Sequence, residues 1–290
     1  GALTLNFLLD DFYMPKGGKM YLYNNERTDL LGAYDYTQNT DTGTLGTWLV
    51  EGDSVWIEYF EPKEVYGLGR IHIAKATHGY RTSESYKQTK ALNGSGNCNL
   101  DVNCSIGDDW EDFKEHNKKS VALMLAGGSS FCTGALVNNT ENDGTPYFLT
   151  ANHCLSTPQG AFGLALLFGW ISPNTVCAAA TPNQNGPMDK QTQSGATLRA
   201  NSSGSDFSLV EMNNPIPAEW DRVYAGWDNR NITPEHTVGI HHPAGDVMKV
   251  CRDDDAPAQS VWQGAQCWEI LGGTGGGWSK RLLERAAGRS

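Results

Sequence analysis

One histidine lies among residues that could hold it as a catalytic base. His153 comes near the end of Tyr147-Phe-Leu-Thr-Ala-Asn-His-Cys154, and another cysteine lies upstream in Phe131-Cys-Thr-Gly-Ala-Leu-Val137. A general base must be held rigidly, because a small displacement costs a large factor in rate. A bond between Cys132 and Cys154 would fix the loop beneath His153. A lone histidine most often only ends a strand, but the long Cys-Thr-Gly…Thr-Ala-x-His-Cys frame favours catalysis.

A carboxylate that could orient this histidine follows 53 residues later. Asp206 lies in Gly204-Ser-Asp-Phe-Ser-Leu-Val-Glu211, directly before an apolar, strand-like run. A buried carboxylate can fix the tautomer of an imidazole and stabilise the imidazolium that forms during catalysis. An ordinary turn aspartate would look the same when taken alone. Its order and distance after His153 favour the orienting role.

Both candidates depend on β-strands for their positions. Residues 98–278 contain short apolar and β-branched runs separated by turn residues. These runs predict strands at Ser120–Ala126, Gly134–Val137, Pro146–Thr150 and Phe207–Met212, and a short helix within Asp108–Lys118. The pattern fits a barrel or sandwich better than an alternating βαβ sheet.

The first part of the chain predicts a separate β-domain. Strand-like runs occur at Lys19–Asn24, Leu30–Tyr36, Ser54–Glu61 and Arg70–Lys75. Strands at this spacing, with weak helix signals between them, indicate a small β-sandwich over residues 1–88. Residues 89–97 have the small and polar composition of a linker, and the cysteines begin directly after them.

Composition narrows the class of protein. The 290 residues carry a net charge of −11, and an acidic chain repels phosphate backbones, so nucleic acid is excluded as a partner. No apolar run approaches the roughly 18 residues of a membrane span. The chain begins at Gly1 without the charged and apolar regions of a signal peptide, so we expect its natural N-terminus to lie upstream.

The cysteines indicate an exported protein. There are seven of them, none lies in the first 97 residues, and no CxxC pair occurs, which argues against a zinc knuckle or a redox site. Widely spaced cysteines in a chain rich in Gly, Asn and Thr are typical of extracellular disulfides. The odd number leaves one cysteine whose partner is missing.

Several blocks resemble those of bacterial lysyl endopeptidases, in the same order and spacing over residues 98–270. Besides the Cys132 and His153 segments, they are Cys98-Asn-Leu-Asp-Val-Asn-Cys104, Gln193-Ser-Gly195, Ser205–Asn214, Ala225-Gly-Trp-Asp228 and Gly239-Ile-His-His-Pro243. The resemblance implies a secreted bacterial serine endopeptidase that acts on proteins or peptides. The implied fold class is all-β, with the N-terminal β-sandwich followed by an incomplete chymotrypsin-like double β-barrel.

The resemblance also implies roles for particular residues. His153 becomes the general base and Asp206 its orienting carboxylate, and Trp262 falls where relatives carry a tryptophan that contacts substrate. Implied disulfides join Cys104 to Cys177 and Cys132 to Cys154, and the partner of Cys98 lies beyond the nucleophile in relatives. By arithmetic, Cys251 and Cys267 then pair with each other. Residues 1–88 resemble the accessory or propeptide domains that precede such proteases.

The chain departs from the family where the nucleophile should follow. Instead of Gly-x-Ser-Gly-Ser-Pro, the chain reads Trp268-Glu-Ile-Leu-Gly-Gly-Thr-Gly-Gly-Gly-Trp278 and then a basic, helix-forming tail, residues 279–290. Ser279 and Ser290 lack the Gly-x-Ser-Gly context and are poor nucleophiles. We therefore expect the protease part, residues 98–278, to be truncated and inactive.

A frameshift would explain this tail. Gly277 to Arg289 can be encoded so that reading one base later gives Gly-Gly-Ala-Ser-Gly-Ser-Ser-Ser-Gly-Pro-Leu-Val-Asp, which resembles the missing loop. Most of these codons are a free choice, but tryptophan has a single codon, and Trp278 therefore forces a glycine in the shifted frame. A genuine basic tail is the alternative.

The sequence gives weaker evidence for phosphate-binding or metal-binding sites than for the protease site. Gly272–Gly277 is not followed by the Gly-Lys-Ser/Thr of a phosphate loop, and Asp253-Asp-Asp255 lacks EF-hand spacing. His241-His242 occurs without an HExxH zinc motif. No metal or cofactor is implied, and the sequence carries no signal for oligomeric state. The competing function is a catalytically inactive, protease-like extracellular binding module.

Overall fold

A computed structural model describes residues 1–79, 99–106, 111–175, 177, 191–230, 232–262, 265–270 and 281–284. Within these ranges only the backbone is described for residues 111, 262, 265–267 and 281–284. The described parts are built mainly from antiparallel β-strands, which confirms the all-β prediction. The two described α-helices are short: α1 is Glu111–Asn117, within the predicted helix, and α2 is Pro158–Phe162. Neither is long or apolar enough to cross a membrane.

The N-terminal part forms two sheets. Its strands are β1 (Thr4–Tyr13), β2 (Lys19–Asn24), β3 (Leu30–Tyr34), β4 (Leu45–Gly46), β5 (Val50–Glu51), β6 (Val55–Phe60) and β7 (Arg70–Gly79). In one sheet the long strand β1 pairs with β7 along its length and with the short strands β4 and β5. The other has the order β3-β2-β6. The strands predicted near β2, β3, β6 and β7 are confirmed, whereas β1 was not predicted.

The candidate residues lie at the ends of strands in the seven-stranded sheet of the protease part. Its order is β13-β12-β9-β10-β11-β15-β14, with antiparallel neighbours, and it curls into a half barrel. The strands are β9 (Val121–Ala126), β10 (Ser130–Leu136), β11 (Tyr147–Ala151), β12 (Ala165–Phe168), β13 (Gln191–Ser194), β14 (Ala196–Ser202) and β15 (Phe207–Met212). The predicted strands here correspond to β9, β10, β11 and β15.

Two small sheets complete the described β-structure of the protease part, and the second of them includes one strand from the tail. The first has the order β16-β17-β8, from β8 (Leu100–Asp101), β16 (Thr237–His241) and β17 (Lys249–Asp253). The second has the order β18-β19-β20, from β18 (Ala258–Trp262), β19 (Ala265–Ile270) and β20 (Arg281–Glu284). The prediction of a helix in the tail is wrong for residues 281–284, because their backbone pairs with β19.

Buried side chains divide into three clusters. One fills the half barrel, with Met124, Phe148, Phe168 and Val210 among its members, and a smaller one surrounds Met248. The third contains apolar residues of β1 to β5 together with residues of β9 and β12. The N-terminal part and the protease part therefore share a core. The predicted linker, residues 89–97, lies outside the described residues.

Candidate active site

Two adjacent strands position His153 and Asp206. Strand β11 ends at Ala151 and its antiparallel neighbour β15 begins at Phe207, and these two residues face each other in the register. In an antiparallel pair, the end of one strand lies beside the start of the other. The residue two positions after β11 and the residue just before β15 are thereby brought to the same edge of the sheet.

The carboxylate of Asp206 contacts the histidine twice. Its Oδ2 atom lies 2.6 Å from Nδ1 of the His153 ring, and its Oδ1 atom accepts a hydrogen bond of 2.8 Å from the backbone N–H of His153. The first contact favours the tautomer with a proton on Nδ1, which leaves Nε2 as an acceptor. The His153 side chain is 71% exposed and that of Asp206 31% exposed, so the ring is open to a substrate.

The backbone of Asp206 is itself constrained. Its φ angle is +50°, in the left-handed region that non-glycine residues rarely adopt. The carbonyl oxygen of Asp206 accepts a hydrogen bond of 2.9 Å from the N–H of Asn152. Backbone and side chain of Asp206 are thus both bonded to the segment that carries His153. Outliers of this kind cluster at functional sites, where the surroundings hold them in place.

A disulfide holds the other side of the histidine loop. Cys132 of β10 is bonded to Cys154, which confirms the implied pairing. The hydroxyl of Thr150 donates to the carbonyl of Thr133 at 3.0 Å, which ties β11 to β10 beside the disulfide. The ligand atoms of Cys132, His153 and Cys154 lie within 4.8 Å of one another. The two sulfurs are bonded to each other, however, and metal binding requires thiolates.

Sequence reasoning missed two polar residues that support the loop. The buried hydroxyl of Ser208 donates to the carbonyl of Leu155. The amide of Asn201 donates to Oδ1 of Asn152 at 2.8 Å and to the carbonyl of Ser156 at 3.0 Å. A small polar residue inside the apolar run Phe207–Met212 was the available signal for Ser208. Asn201 carried no comparable signal.

Several predicted residues are not tested by the structure. Trp262 ends β18, but its side chain is outside the description, so its substrate contact stays a prediction. Cys98, Ser279 and Ser290 lie outside the described residues. The Sγ atom of Cys251 donates to the carbonyl of Gly239 at 3.2 Å. Because the side chain of Cys267 is not described, the pairing of Cys251 with Cys267 stays a prediction too.

His242 is a buried histidine that is not a member of the candidate pair. It is 3% exposed and stacks on Trp170 with ring centroids 6.1 Å apart. Its Nδ1 atom lies 2.9 Å from the carbonyl oxygen of Asp246. Burial lowers the pKa of His242 to about 4, and the charge of nearby Lys249 acts in the same direction. For His242, these contacts fit the packing and hydrogen-bonding role expected for the His241-His242 pair.

The chain is all-β, and its main sheet curls into a half barrel. His153 and Asp206 lie together at one end of two neighbouring strands of this sheet. These features fit the class of trypsin-like proteases. The model of the family described as lysyl endopeptidase, C-terminal domain, matches residues 92–285. The chain belongs to this family.

One curated relative agrees with this assignment. The lysyl endopeptidase of Pseudomonas aeruginosa is 27% identical over 212 residues, which cover 69% of this chain and 44% of that protein. This chain thus spans less than half the length of the curated relative that it matches. A crystal structure of the Rv3671c protease in an inactive form covers 59% of this chain and 75% of that one, at 10% identity and a TM-score of 0.32. That similarity is too low to support an argument.

Proposed function

We propose that this chain is the N-terminal β-domain and most of the protease part of a secreted bacterial serine endopeptidase that hydrolyses peptide bonds in proteins or peptides. The observation that carries the proposal is the double contact between Asp206 and His153. The disulfides Cys104–Cys177 and Cys132–Cys154 support an oxidising, extracellular location. The family assignment supports the reaction class.

The proposed chemistry assigns a role to each atom of the pair. Nε2 of His153 removes the proton from a serine hydroxyl, whose oxygen attacks the peptide carbonyl and forms an acyl-enzyme. The same nitrogen then delivers the proton to the leaving amine, and a water molecule hydrolyses the ester by the reverse sequence. Asp206 keeps the proton on Nδ1 and stabilises the imidazolium. Backbone amides beside the serine would stabilise the oxyanion.

The 290 residues contain no Gly-x-Ser-Gly motif, so we propose that this chain by itself is inactive. The frameshift hypothesis supplies a test. The gene is resequenced from the Trp268 codon onward, and the chain is then made with the codons from Gly277 read one base later and continued to the next stop codon. We call this product the frame-restored chain.

The two chains are assayed on peptides that carry lysine, arginine or a neutral residue before the cleaved bond. We expect turnover by the frame-restored chain and none by the 290-residue chain. Turnover by the 290-residue chain that disappears in His153→Ala would refute the proposed absence of a nucleophile. A shifted frame without a Gly-x-Ser-Gly motif would refute the frameshift.

A second function is favoured by the lack of that motif. A protease-like extracellular module that binds without catalysis would keep the half barrel and need no serine. It predicts that the frame stops naturally after Ser290 and that the folded product binds a partner without cleaving it. A mass-spectrometric search for cleaved peptides after incubation with proteins separates this function from the first.

A further inference from the structure

The half barrel is buried on both of its faces at β9 and β12. All six residues of β9 and all four of β12 are buried. Successive residues of a strand point to opposite faces. In β9, Ala122 and Met124 belong to the barrel core, whereas Leu123 and Leu125 belong to the cluster shared with the N-terminal part.

The same division holds in β12 and defines an apolar outer face. Leu166 and Phe168 belong to the barrel core, and Ala165 and Leu167 to the shared cluster. We call the six protease-part members of that cluster the outer face: Leu123, Leu125, Ala165, Leu167, Trp170 and Val247. All six are at most 4% exposed. Without the N-terminal part they would form an exposed apolar patch of the kind that drives aggregation.

The two parts also approach closely at their backbones. A Cβ atom placed on Gly46 of β4 would overlap the carbonyl oxygen of Gly163, and one placed on Gly163 would lie 3.0 Å from a methyl group of Leu8. Polar contacts border this region: the amide of Asn6 donates to the carbonyl of Gly128 at 3.2 Å. The ammonium of Lys75 donates to the carbonyl of Gly127, also at 3.2 Å. An apolar centre with a polar rim is typical of a stable interface.

This interface leaves the candidate site open. The contacts above involve Gly127, Gly128 and Gly163, not His153 or Asp206. With the N-terminal part docked, the side chain of His153 is still 71% exposed. The N-terminal part therefore covers the outer face without covering the catalytic histidine.

We propose that residues 1–79 are a permanently docked subunit of the protease part, which stays bound after the chain is cut between residues 79 and 99 and does not block His153. The outer face is thus covered by the N-terminal part of the same chain. After the cut, that part is a second polypeptide. The inference goes beyond the proposed endopeptidase function and does not depend on a serine.

The first test uses the full 290-residue chain with a recognition sequence for a site-specific protease inserted between Gly94 and Ser95. The chain is purified, cut, and passed over a size-exclusion column at about 1 μM and again in about 1 M NaCl, which screens charge contacts but not apolar ones. We expect both fragments to elute together at the volume of the uncut chain. Separate elution of the fragments, or precipitation on cutting, would overturn the proposal.

A matched pair of glycine variants tests where the interface lies. Gly46→Ala places a methyl group against the backbone of Gly163, whereas Gly226→Ala places one where no atom lies within 4 Å. We expect the cut Gly46→Ala chain to dissociate at a lower urea concentration than the cut parent, and the cut Gly226→Ala chain to match the parent. Equal behaviour of the two variants would show that the close approach is not part of the interface.

The open histidine is tested by chemical modification of the uncut chain. Diethyl pyrocarbonate acylates accessible imidazoles in their neutral form, so the reaction is run above the raised pKa of His72. Mass spectrometry of digested protein gives the rate at each histidine. His72 is a suitable internal standard because it is 68% exposed and also has Nδ1 2.6 Å from a carboxylate. We expect rates within about threefold at His153 and His72. A rate more than tenfold lower at His153 would overturn the claim that the docked part leaves it open.

Discussion

Two histidine–aspartate pairs in this molecule share the same short contact but differ in what holds them. Nδ1 of His153 lies 2.6 Å from Asp206, and Nδ1 of His72, on β7, lies 2.6 Å from Asp10, on β1. The rings are similarly exposed, at 71% and 68%, but Asp206 is 31% exposed and Asp10 is 54% exposed. The contact distance alone therefore does not distinguish a candidate catalytic pair from a surface pair.

The difference lies in the supporting bonds. Asp206 is bonded through side chain and backbone to the segment of His153, and the adjacent Cys154 is covalently tied to Cys132. The pair in the N-terminal part joins the neighbouring strands β1 and β7, and both of its side chains are more than half exposed. A short exposed ion pair is worth little, because water competes for both partners. Rigid support, and not proximity, is what makes the first pair suitable for a general base.

The two pairs should differ most in kcat when each histidine is replaced by alanine. In the frame-restored chain, His153→Ala should lower kcat by about 10⁶-fold, because the general base is lost. His72→Ala should leave kcat and KM within about twofold. Steady-state kinetics on the best peptide substrate measure both. A comparable loss in His72→Ala would place the second pair in the catalytic machinery and contradict the distinction.

Replacing each aspartate by asparagine should give a smaller difference in kcat between the two pairs. Asp206→Asn in the frame-restored chain should lower kcat by about 10⁴-fold, because an amide in this place favours the wrong tautomer of His153. Asp10→Asn serves as the matched control, with no expected change in kcat. If Asp206→Asn retained more than a tenth of the activity, Asp206 would not be the orienting residue.

The disulfide beside His153 should contribute to stability in the 290-residue chain itself. Its cysteines are 22 residues apart. Closing a loop of this length lowers the entropy of the unfolded chain and thereby raises its free energy by about 3 kcal/mol. The double variant Cys132→Ser, Cys154→Ser should therefore unfold at a correspondingly lower urea concentration. Residues 1–97 contain no cysteine, so the His72–Asp10 pair has no comparable covalent support to remove. An unchanged unfolding midpoint in the double variant would contradict this expectation.

A buried histidine extends the comparison to the interior. Burial lowers the pKa of His242 to about 4, so the unfolded chain binds a proton that the folded chain rejects. The folded state therefore carries no penalty from His242 above pH 6.5 and loses stability as pH falls from 6.5 to 4, by about 3 kcal/mol. Urea unfolding at several pH values should show this slope, and His242→Phe should flatten it. A slope that persists in His242→Phe but vanishes in a control variant, His78→Gln, would assign the effect elsewhere.

The sequence predicted the local elements of the site better than the way its parts assemble. His153 was identified from the Cys-Thr-Gly…Thr-Ala-x-His-Cys frame and Asp206 from its order and distance after it. In the structure, antiparallel pairing of β11 with β15 brings the two residues together. The pairings Cys104–Cys177 and Cys132–Cys154 came from resemblance and are confirmed. Ser208 and Asn201 were missed, because their roles depend on which loop folds over them.

The shared core was missed for a related reason. Leu123 and Leu125 alternate with Ala122 and Met124 in a run that is apolar throughout, which predicts a strand buried on both faces but not what covers the second face. Strand β1 was missed although it pairs with the other three strands of its sheet, because the polar pair Asp10-Asp11 interrupts the apolar pattern. The helix-forming residues of the tail pair as a strand at 281–284, which shows tertiary pairing overriding local propensity.

The smallest expected effect concerns the surface pair alone. Asp10 raises the pKa of His72 through a hydrogen bond and its charge. Asp10→Asn should therefore bring that pKa down towards 6.5, followed by NMR titration of the ring. The pair stabilises the fold only while His72 is protonated, so its contribution is full below pH 6.5 and is lost as pH rises through the raised pKa. If the pKa of His72 stayed raised in Asp10→Asn, its cause would lie with Asp11, the other nearby carboxylate, and Asp11→Asn would be the variant that lowers it.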